Sequence, residues 1–391
     1  MTRQTALRLT CALAAVGMTP AVARAQVREI TLNDSVDVVF SGVTLAPDGL
    51  YETAGGPYGS YGFVYKIDLT GHYTVLHNFG FTDGWRPYAG VILDAAGNLY
   101  GTTQWGGSCI ATVGCGVVYK LDATGHLTVL YNFTGLDDGG YPTAGVILDA
   151  AGNLYGTTQN GGTANNGVVY KLDAAGHYSV LYRFTGGSDG GQPIAGVIRD
   201  SAGSLYGTTV AGGGTSGCGV VYKLDATGHL TVLHSFTGDT DGCGPQGGVI
   251  GDAGGPLYGT TTFGGLNAAG CFFGGGGLVG CGVVYKLDTT GYTVLHSFAG
   301  GADSGNPGAG VTRDPAGNLY GTAGYRSGDP QCSEGNCGVV YKLDKTGNYS
   351  VLYSFTGGTN GESPTAGVVR GPAGNLFGTT YYTVFALTGV Q

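Results

Sequence analysis

The word G-V-V-Y-K-L-D, read at 116–122, returns almost letter for letter from Gly167, Gly219, Gly282 and Gly338, with variants at Gly62 and Thr383. Repetition this dense leaves each unit too small to bury its own apolar faces, so neighbouring units must cover one another. One unit, residues 144–184, holds four short apolar runs at 144–149, 153–158, 167–173 and 177–184. Each is strand length, rich in Val, Leu, Ile, Tyr and Thr, and bounded by turn formers such as Asp-Ala-Ala-Gly-Asn. The unit reads as a four-stranded antiparallel meander, its strands a to d in chain order.

The tyrosines of this word, at 65, 119, 170, 222, 285 and 341, are 54, 51, 52, 63 and 56 residues apart, and Phe385 holds a seventh equivalent place. Four-stranded units of that length, repeated radially, predict an all-β chain folded as a seven-bladed β-propeller. Strand a occurs seven times, from Ser41, Ala89, Ala144, Ala195, Gly247, Ala309 and Ala366, but strand d follows strand c only six times. An N-terminal strand is expected to complete the last blade and close the ring. The segment 35–40, Ser-Val-Asp-Val-Val-Phe, stands ahead of the first strand a and is the candidate.

Eighty glycines could suggest disorder, but apolar residues make up 42% and aromatics 11%, and the glycines fall between apolar runs as turn residues. Residues 1–25 carry Arg3 and Arg8, an apolar run and Ala23-Arg24-Ala25, the pattern of a secretory signal peptide. The expected domains are therefore a signal peptide at 1–25 and a propeller at 26–391. Cleavage after Ala25 leaves 14 basic against 26 acidic residues, a net charge of −12. An acidic export product is a poor nucleic-acid ligand. No later apolar stretch reaches the roughly 18 residues of a membrane span, so a soluble periplasmic or extracellular monomer is expected.

Eight cysteines remain after cleavage, an even number in an oxidising compartment. Proximity suggests Cys109 with Cys115, Cys271 with Cys281, Cys332 with Cys337, and then Cys218 with Cys243, although eight cysteines formally allow 105 pairings. Zinc is the rival reading, disfavoured because no histidine stands beside them.

The words G-V-x-x-D-x-x-G-N-L-Y-G-T-T and G-V-V-Y-K-L-D-x-x-G resemble the GloVer tandem repeat of exported bacterial proteins, over essentially the whole mature chain. The resemblance implies a secreted propeller, in a family known for varied C-terminal anchors; no such anchor is recognisable here. The unit also resembles kelch repeats through Gly161-Gly162, with Tyr131, Tyr182 or His234 where kelch carries tryptophan.

Residues that keep time with the repeat serve it. His72, His126, His177 and His229 share a turn position with Asn348, while His77, His234 and His296 share a strand-d position with Tyr131, Tyr182 and Tyr353. Asp94, Asp149, Asp200, Asp252 and Asp314 end strand a, where an Asx turn accounts for them. A third set, Asp83, Asp138, Asp189, Asp241 and Asp303 with Asn360, lies between d and a. Those loops could offer oxygens to calcium but lack the full EF-hand spacing, so no cofactor is assigned.

What breaks the repeat is more telling. The fifth position of strand a reads Leu45, Leu93, Leu148, Arg199, Gly251, Arg313 and Arg370, placing three arginines at one end of a central channel, an arrangement suited to anions or to pairing with aspartates. At the other end the d-to-a and b-to-c loops carry Trp85, Arg86, Trp105, Phe272, Phe273, Tyr325, Arg326 and all eight cysteines. Variable, stapled, aromatic loops on a rigid ring suggest a binding surface. The leading expectation is a non-catalytic exported propeller that binds a glycan, peptide or partner protein through that face. A lyase or hydrolase acting on a polyanion at Arg199, Arg313 and Arg370, and a passive surface or matrix component, are the alternatives.

Overall fold

In the computed structural model, residues 26–31, 41–55, 59–109, 115–252, 254–266, 280–324, 337–357, 361, 363–364, 366–381 and 383–390 are described. They form seven four-stranded antiparallel sheets, each running a-b-c-d from one edge to the other. Blade three is representative, with strands Ile147–Leu148, Leu154–Thr158, Val168–Leu172 and Tyr178–Arg183. Between c and d the register slips at Val169/Tyr170, a bulge that recurs at the same place in blades one to six and adds twist to the outer edge.

Strand a pairs for only two residues in six blades, less than the apolar run predicts. The reason lies in where its first half sends its backbone. Ala195 gives its carbonyl to the Thr157 hydroxyl of the preceding blade at 2.8 Å, and Ala144 gives its own to Thr102 at 2.8 Å. The same bond joins Thr53 to Ala89, Thr208 to Gly247, Thr260 to Ala309 and Thr322 to Ala366. Thr379 completes the set, donating to Ser41 at 3.0 Å across the seam between blades seven and one. The first threonine of each G-T-T word is thus an interblade staple.

Strand a lines the axis. A Cβ at Gly90 would come within 2.4 Å of the Gly42 carbonyl, one at Gly145 within 2.9 Å of Gly90, and contacts of the same kind run on through Gly196, Gly248, Gly310 and Gly367. At Gly90, Gly145, Gly310 and Gly367, where the approach is under 3.0 Å, only glycine lets the inner strands come so close. The core lies between blades, in seven apolar clusters. In each of the five interfaces from blade one to blade six, the phenylalanine after strand d packs edge-on against the strand-c tyrosine of the next blade, as Phe133 does on Tyr170 at 5.3 Å. The tyrosine hydroxyl reaches over the glycine of strand b, where a Cβ at Gly156 would stand 2.5 Å from the Tyr170 oxygen.

The ring is closed by an N-terminal strand, but not by residues 35–40, which lie outside the described residues. Gln26–Thr31 pairs antiparallel with Thr383–Thr388, from Gln26 opposite Thr388 to Thr31 opposite Thr383. Chain length explains the correction. From the outer edge of one blade to the inner edge of the next, the chain uses residues 133–146 or 184–197, fourteen in each case, and twelve residues of sequence separate Thr31 from Thr44. Ending that strand at residue 40 would leave three residues before Thr44–Ala46, too few to cross a blade whose strands are ~4.8 Å apart at ~3.4 Å per residue.

Blade one departs from the repeat at Glu52, where the other blades have glycine. Its carboxyl is fully buried and accepts the Tyr65 hydroxyl, whereas Tyr119, Tyr170, Tyr222, Tyr285 and Tyr341 have no partner for theirs. Burial pushes the Glu52 carboxyl well above the usual carboxylate range, against hydrogen bonds from Tyr65 and Ser41.

Two stability predictions follow from these contacts. Thr157→Val removes a staple and leaves the Ala195 carbonyl unpaired, so it should lower unfolding free energy by about 1–3 kcal/mol, read from the urea midpoint. An unchanged midpoint would contradict the staple. For Glu52, the native state keeps a proton that the unfolded chain releases near pH 4.5, so its stabilising contribution is complete below that pH and is lost as pH rises. Glu52→Gln should therefore gain stability relative to the parent between about pH 5 and 8. Parallel stability curves over that range would exclude a raised Glu52.

Candidate functional site

The d-to-a and b-to-c loops share one end of the ring, and their backbones are tied to each other. Trp85 and Trp105 exchange both N–H···O bonds at 2.8 Å, as Gly140 and Asn160 do in the next repeat. The following residue is held between two blades. Arg86 donates its N–H to the Tyr61 carbonyl of blade one at 3.0 Å and accepts the Gln104 N–H of blade two at 2.9 Å.

That position recurs as an X-Pro dipeptide, and its backbone is left-handed every time. φ is 57° at Arg86, 57° at Tyr141, 55° at Gln192, 63° at Gly244, 53° at Asn306 and 50° at Ser363. A non-glycine residue there costs about 1–2 kcal/mol. The flanking hydrogen bonds hold it, as with Tyr141 to Cys115 at 2.9 Å and Gln192 to Asn166 at 2.7 Å. The scaffold fixes the conformation while the side chain varies, which is how a ring of ligand-facing positions is built on a repeat. The X-Pro spacing was visible in the sequence, but nothing in it announced a shared left-handed backbone.

Around Arg86 the loops assemble an aromatic cluster. The Trp85 and Trp105 rings meet edge-on, their centroids 4.9 Å apart at 73°, and Tyr61 adds a second edge to Trp85 at 5.7 Å. Phe81 lies 6.3 Å from Tyr61 and 6.5 Å from Trp85. The Arg86 guanidinium carbon lies 3.9 Å from the centroid of Trp105, 5.7 Å from Trp85 and 5.8 Å from Tyr88. Burial raises the Tyr88 hydroxyl, the Arg86 charge lowers it, and Tyr381 of blade seven lies within electrostatic reach. Tyr61 is exposed and the other rings are half-buried, so the cluster meets solvent. Sequence reasoning singled out Trp85, Arg86 and Trp105 but not Tyr61, Phe81, Tyr88 or Tyr381, which come together only when blades one, two and seven meet. Phe272, Phe273, Tyr325 and Arg326 lie outside the described residues.

Arg199, Arg313 and Arg370 lie at the opposite end, on blades four, six and seven, and all are exposed. Arg199 lies over Tyr155 at 5.4 Å and Arg313 over Tyr258 at 5.3 Å, each tyrosine belonging to the preceding blade. Arg313 also reaches Asp252 at 3.3 Å. Arg370 acts electrostatically on Tyr320 of the preceding blade. The three are distributed along the rim, each against its own neighbour.

Asp94, Asp149, Asp200 and Asp314 accept hydrogen bonds from their own turns, whereas Asp252 is exposed toward Arg313. Desolvation would raise Asp149, but hydrogen bonds from Asn153, Tyr155 and Ala151 hold it down to about 2. In the d-to-a set, Asp138 accepts from Tyr131 at 2.9 Å and from the Thr134 N–H at 3.0 Å. His77 reaches Asp83 at 2.9 Å and His234 reaches Asp241 at 3.1 Å, which explains why Tyr and His exchange there. Among the described residues no group of three or more His, Cys, Asp or Glu is placed to hold a metal. Asn360 lies outside them.

Cys109 is bonded to Cys115 and Cys218 to Cys243, with Cα atoms 5.7 and 4.7 Å apart. Cys281 and Cys337 are also disulfide-bonded, and their expected partners, Cys271 and Cys332, lie outside the described residues. The Cys218–Cys243 bond spans 25 residues and ties the b-to-c loop of blade four to the loop entering blade five. Replacing both by serine should lower stability by about 3 kcal/mol on chain-entropy grounds, read as a lower melting temperature under non-reducing conditions. A melting temperature equal to the parent's would show that this staple is dispensable.

Fold and closure define the molecule as a seven-bladed β-propeller with one loop-rich face. The chain belongs to the Gloeobacter/Verrucomicrobia repeat family, whose model matches residues 41–273. No curated protein matches it. Among solved structures it is similar to a streptogramin B lyase, at 14% identity over 93% of this chain and 97% of that one, with a TM-score of 0.61. It is also similar to a catalytically inactive virginiamycin B lyase from Staphylococcus aureus with quinupristin, at 13% identity over 94% and 100% with a TM-score of 0.58. A puromycin hydrolase mutant complexed with PGG matches at 14% identity over 92% and 52%, with a TM-score of 0.50. At such identities the likeness shows the fold alone, because unrelated chemistries share propellers.

Proposed function

We propose that this protein is an exported binding propeller that takes a carbohydrate on its loop-rich face. The observation that carries the reading is the solvent-facing cluster of Tyr61, Trp85, Trp105 and Tyr88 around Arg86. A pyranose ring has a flat C–H face that lies well on an indole or phenol, and hydroxyls that seek amide partners. Gln104, Gln159, Gln192 and Gln246 supply such amides on the same face, half-buried and without side-chain hydrogen bonds among the described residues. The disulfides, and the absence among the described residues of a helix long and apolar enough to cross a membrane, accord with export.

Trp85 and Trp105 are the two tryptophans of the whole chain, so intrinsic tryptophan fluorescence reports this site alone. Glycans retained by the protein on an array should change that fluorescence on titration. Trp105→Ala should weaken binding by about 2 kcal/mol, some thirty-fold. A variant with Arg199, Arg313 and Arg370 all changed to Ala should bind as the parent does. If the triple variant loses the ligand and Trp105→Ala retains it, the site is at the other mouth and this reading fails.

A further inference from the structure

Arg86 is the cation of the aromatic cluster, with its guanidinium carbon 3.9 Å from the Trp105 centroid. The mature chain is strongly acidic, yet no carboxylate among the described residues lies within ion-pair distance of this guanidinium. The acid of its own loop, Asp83, is engaged by His77 at 2.9 Å and by the Gly80 N–H at 2.6 Å. Arg183, the other arginine described at this end, gives its Nε–H to the Asp137 carbonyl at 3.2 Å. The Arg86 backbone is fixed on both sides by Tyr61 and Gln104, in a left-handed conformation that any residue with a Cβ adopts at a cost.

From this we infer that the ligand carries a carboxylate, and that Arg86 selects a uronic-acid sugar over its neutral counterpart. The inference rests on the carbohydrate reading above. The Arg86 guanidinium sits over the Trp105 indole and shares a side-chain hydrogen bond with Tyr88, which leaves others of its five N–H donors for a planar anion, matched by a carboxylate with two parallel hydrogen bonds. A uronate ring joins both requirements in one residue, a C–H face for the indole corner and a carboxylate for the fork. The protein's net charge of −12 after cleavage repels densely charged polymers, so the fitting ligand is a largely neutral glycan with isolated or terminal uronates.

The test uses the mature protein, oligosaccharides containing glucuronate or galacturonate, and the same oligosaccharides with each carboxyl reduced to a hydroxymethyl group, all titrated by tryptophan fluorescence. The acidic form should bind about ten-fold or more tightly than the reduced form. Raising NaCl from about 50 to about 500 mM should erode that preference. Arg86→Gln should abolish it, so that both forms bind alike. Glutamine is the residue that repeat four itself carries at this left-handed position, Gln192, so the variant suits the backbone, and its melting temperature checks the fold. Equal binding of both forms by the parent, or a preference that survives Arg86→Gln, overturns the inference while leaving carbohydrate binding in place. Failure of both forms to bind the parent, with neutral glycans retained on an array, also overturns it alone. Failure of every glycan overturns the carbohydrate reading as well.

Discussion

Seven hydrogen bonds, six of them buried, each from a threonine hydroxyl of strand b to a backbone carbonyl of the next blade's strand a, set the geometry on which everything else depends. They bind successive blades at the axis, where sheet hydrogen bonding gives out after two residues. A buried carbonyl must have a partner, so the inner strand cannot move away from the threonine that satisfies it. The bond also explains the word G-T-T letter by letter. The glycine makes room for the strand-c tyrosine, the first threonine joins the next blade, and the second caps its own loop, as Thr158 does on the Asn160 carbonyl at 2.9 Å.

The same constraint separates scaffold from site. Because the blades are locked at the axis and sealed by aromatic pairs between them, the loops at one end inherit a rigid footing. Six X-Pro positions there share one strained backbone conformation and five different non-glycine side chains. Arg86 is the charged member of that set; its aromatic surroundings come from the consecutive blades one and two, with Tyr381 of blade seven brought near by closure of the ring.

Much of this was legible in the repeat. Four apolar runs per unit and seven units were enough for the propeller, and Tyr–His exchange at one strand-d position was enough to read those histidines as scaffold, a role their aspartate bonds now explain. The closing strand was misplaced because Ser-Val-Asp-Val-Val-Phe matches strand d by letter, whereas the number of residues needed to cross a blade decides the matter in favour of Gln26–Thr31. Glu52 was passed over because two changed letters in Y-E-T-A look like drift until the Tyr65 hydroxyl is seen beside it. Tyr381 of blade seven, within electrostatic reach of Tyr88, carries no local signal at all, since a contact made by closure has no spacing to read.

The seam has a consequence for the order in which the molecule is made. Residues 26–31 pair with residues 383–388, so the outer edge of the last blade waits for chain that emerges more than 350 residues later. Blades two to six can each collapse as their own sequence appears, whereas the ring gains its last interface only when both ends are present together. A chain made N-terminus first would therefore stand as an open arc of partly covered blades, its first strand unpaired, and would become a closed ring only when its last strand appears.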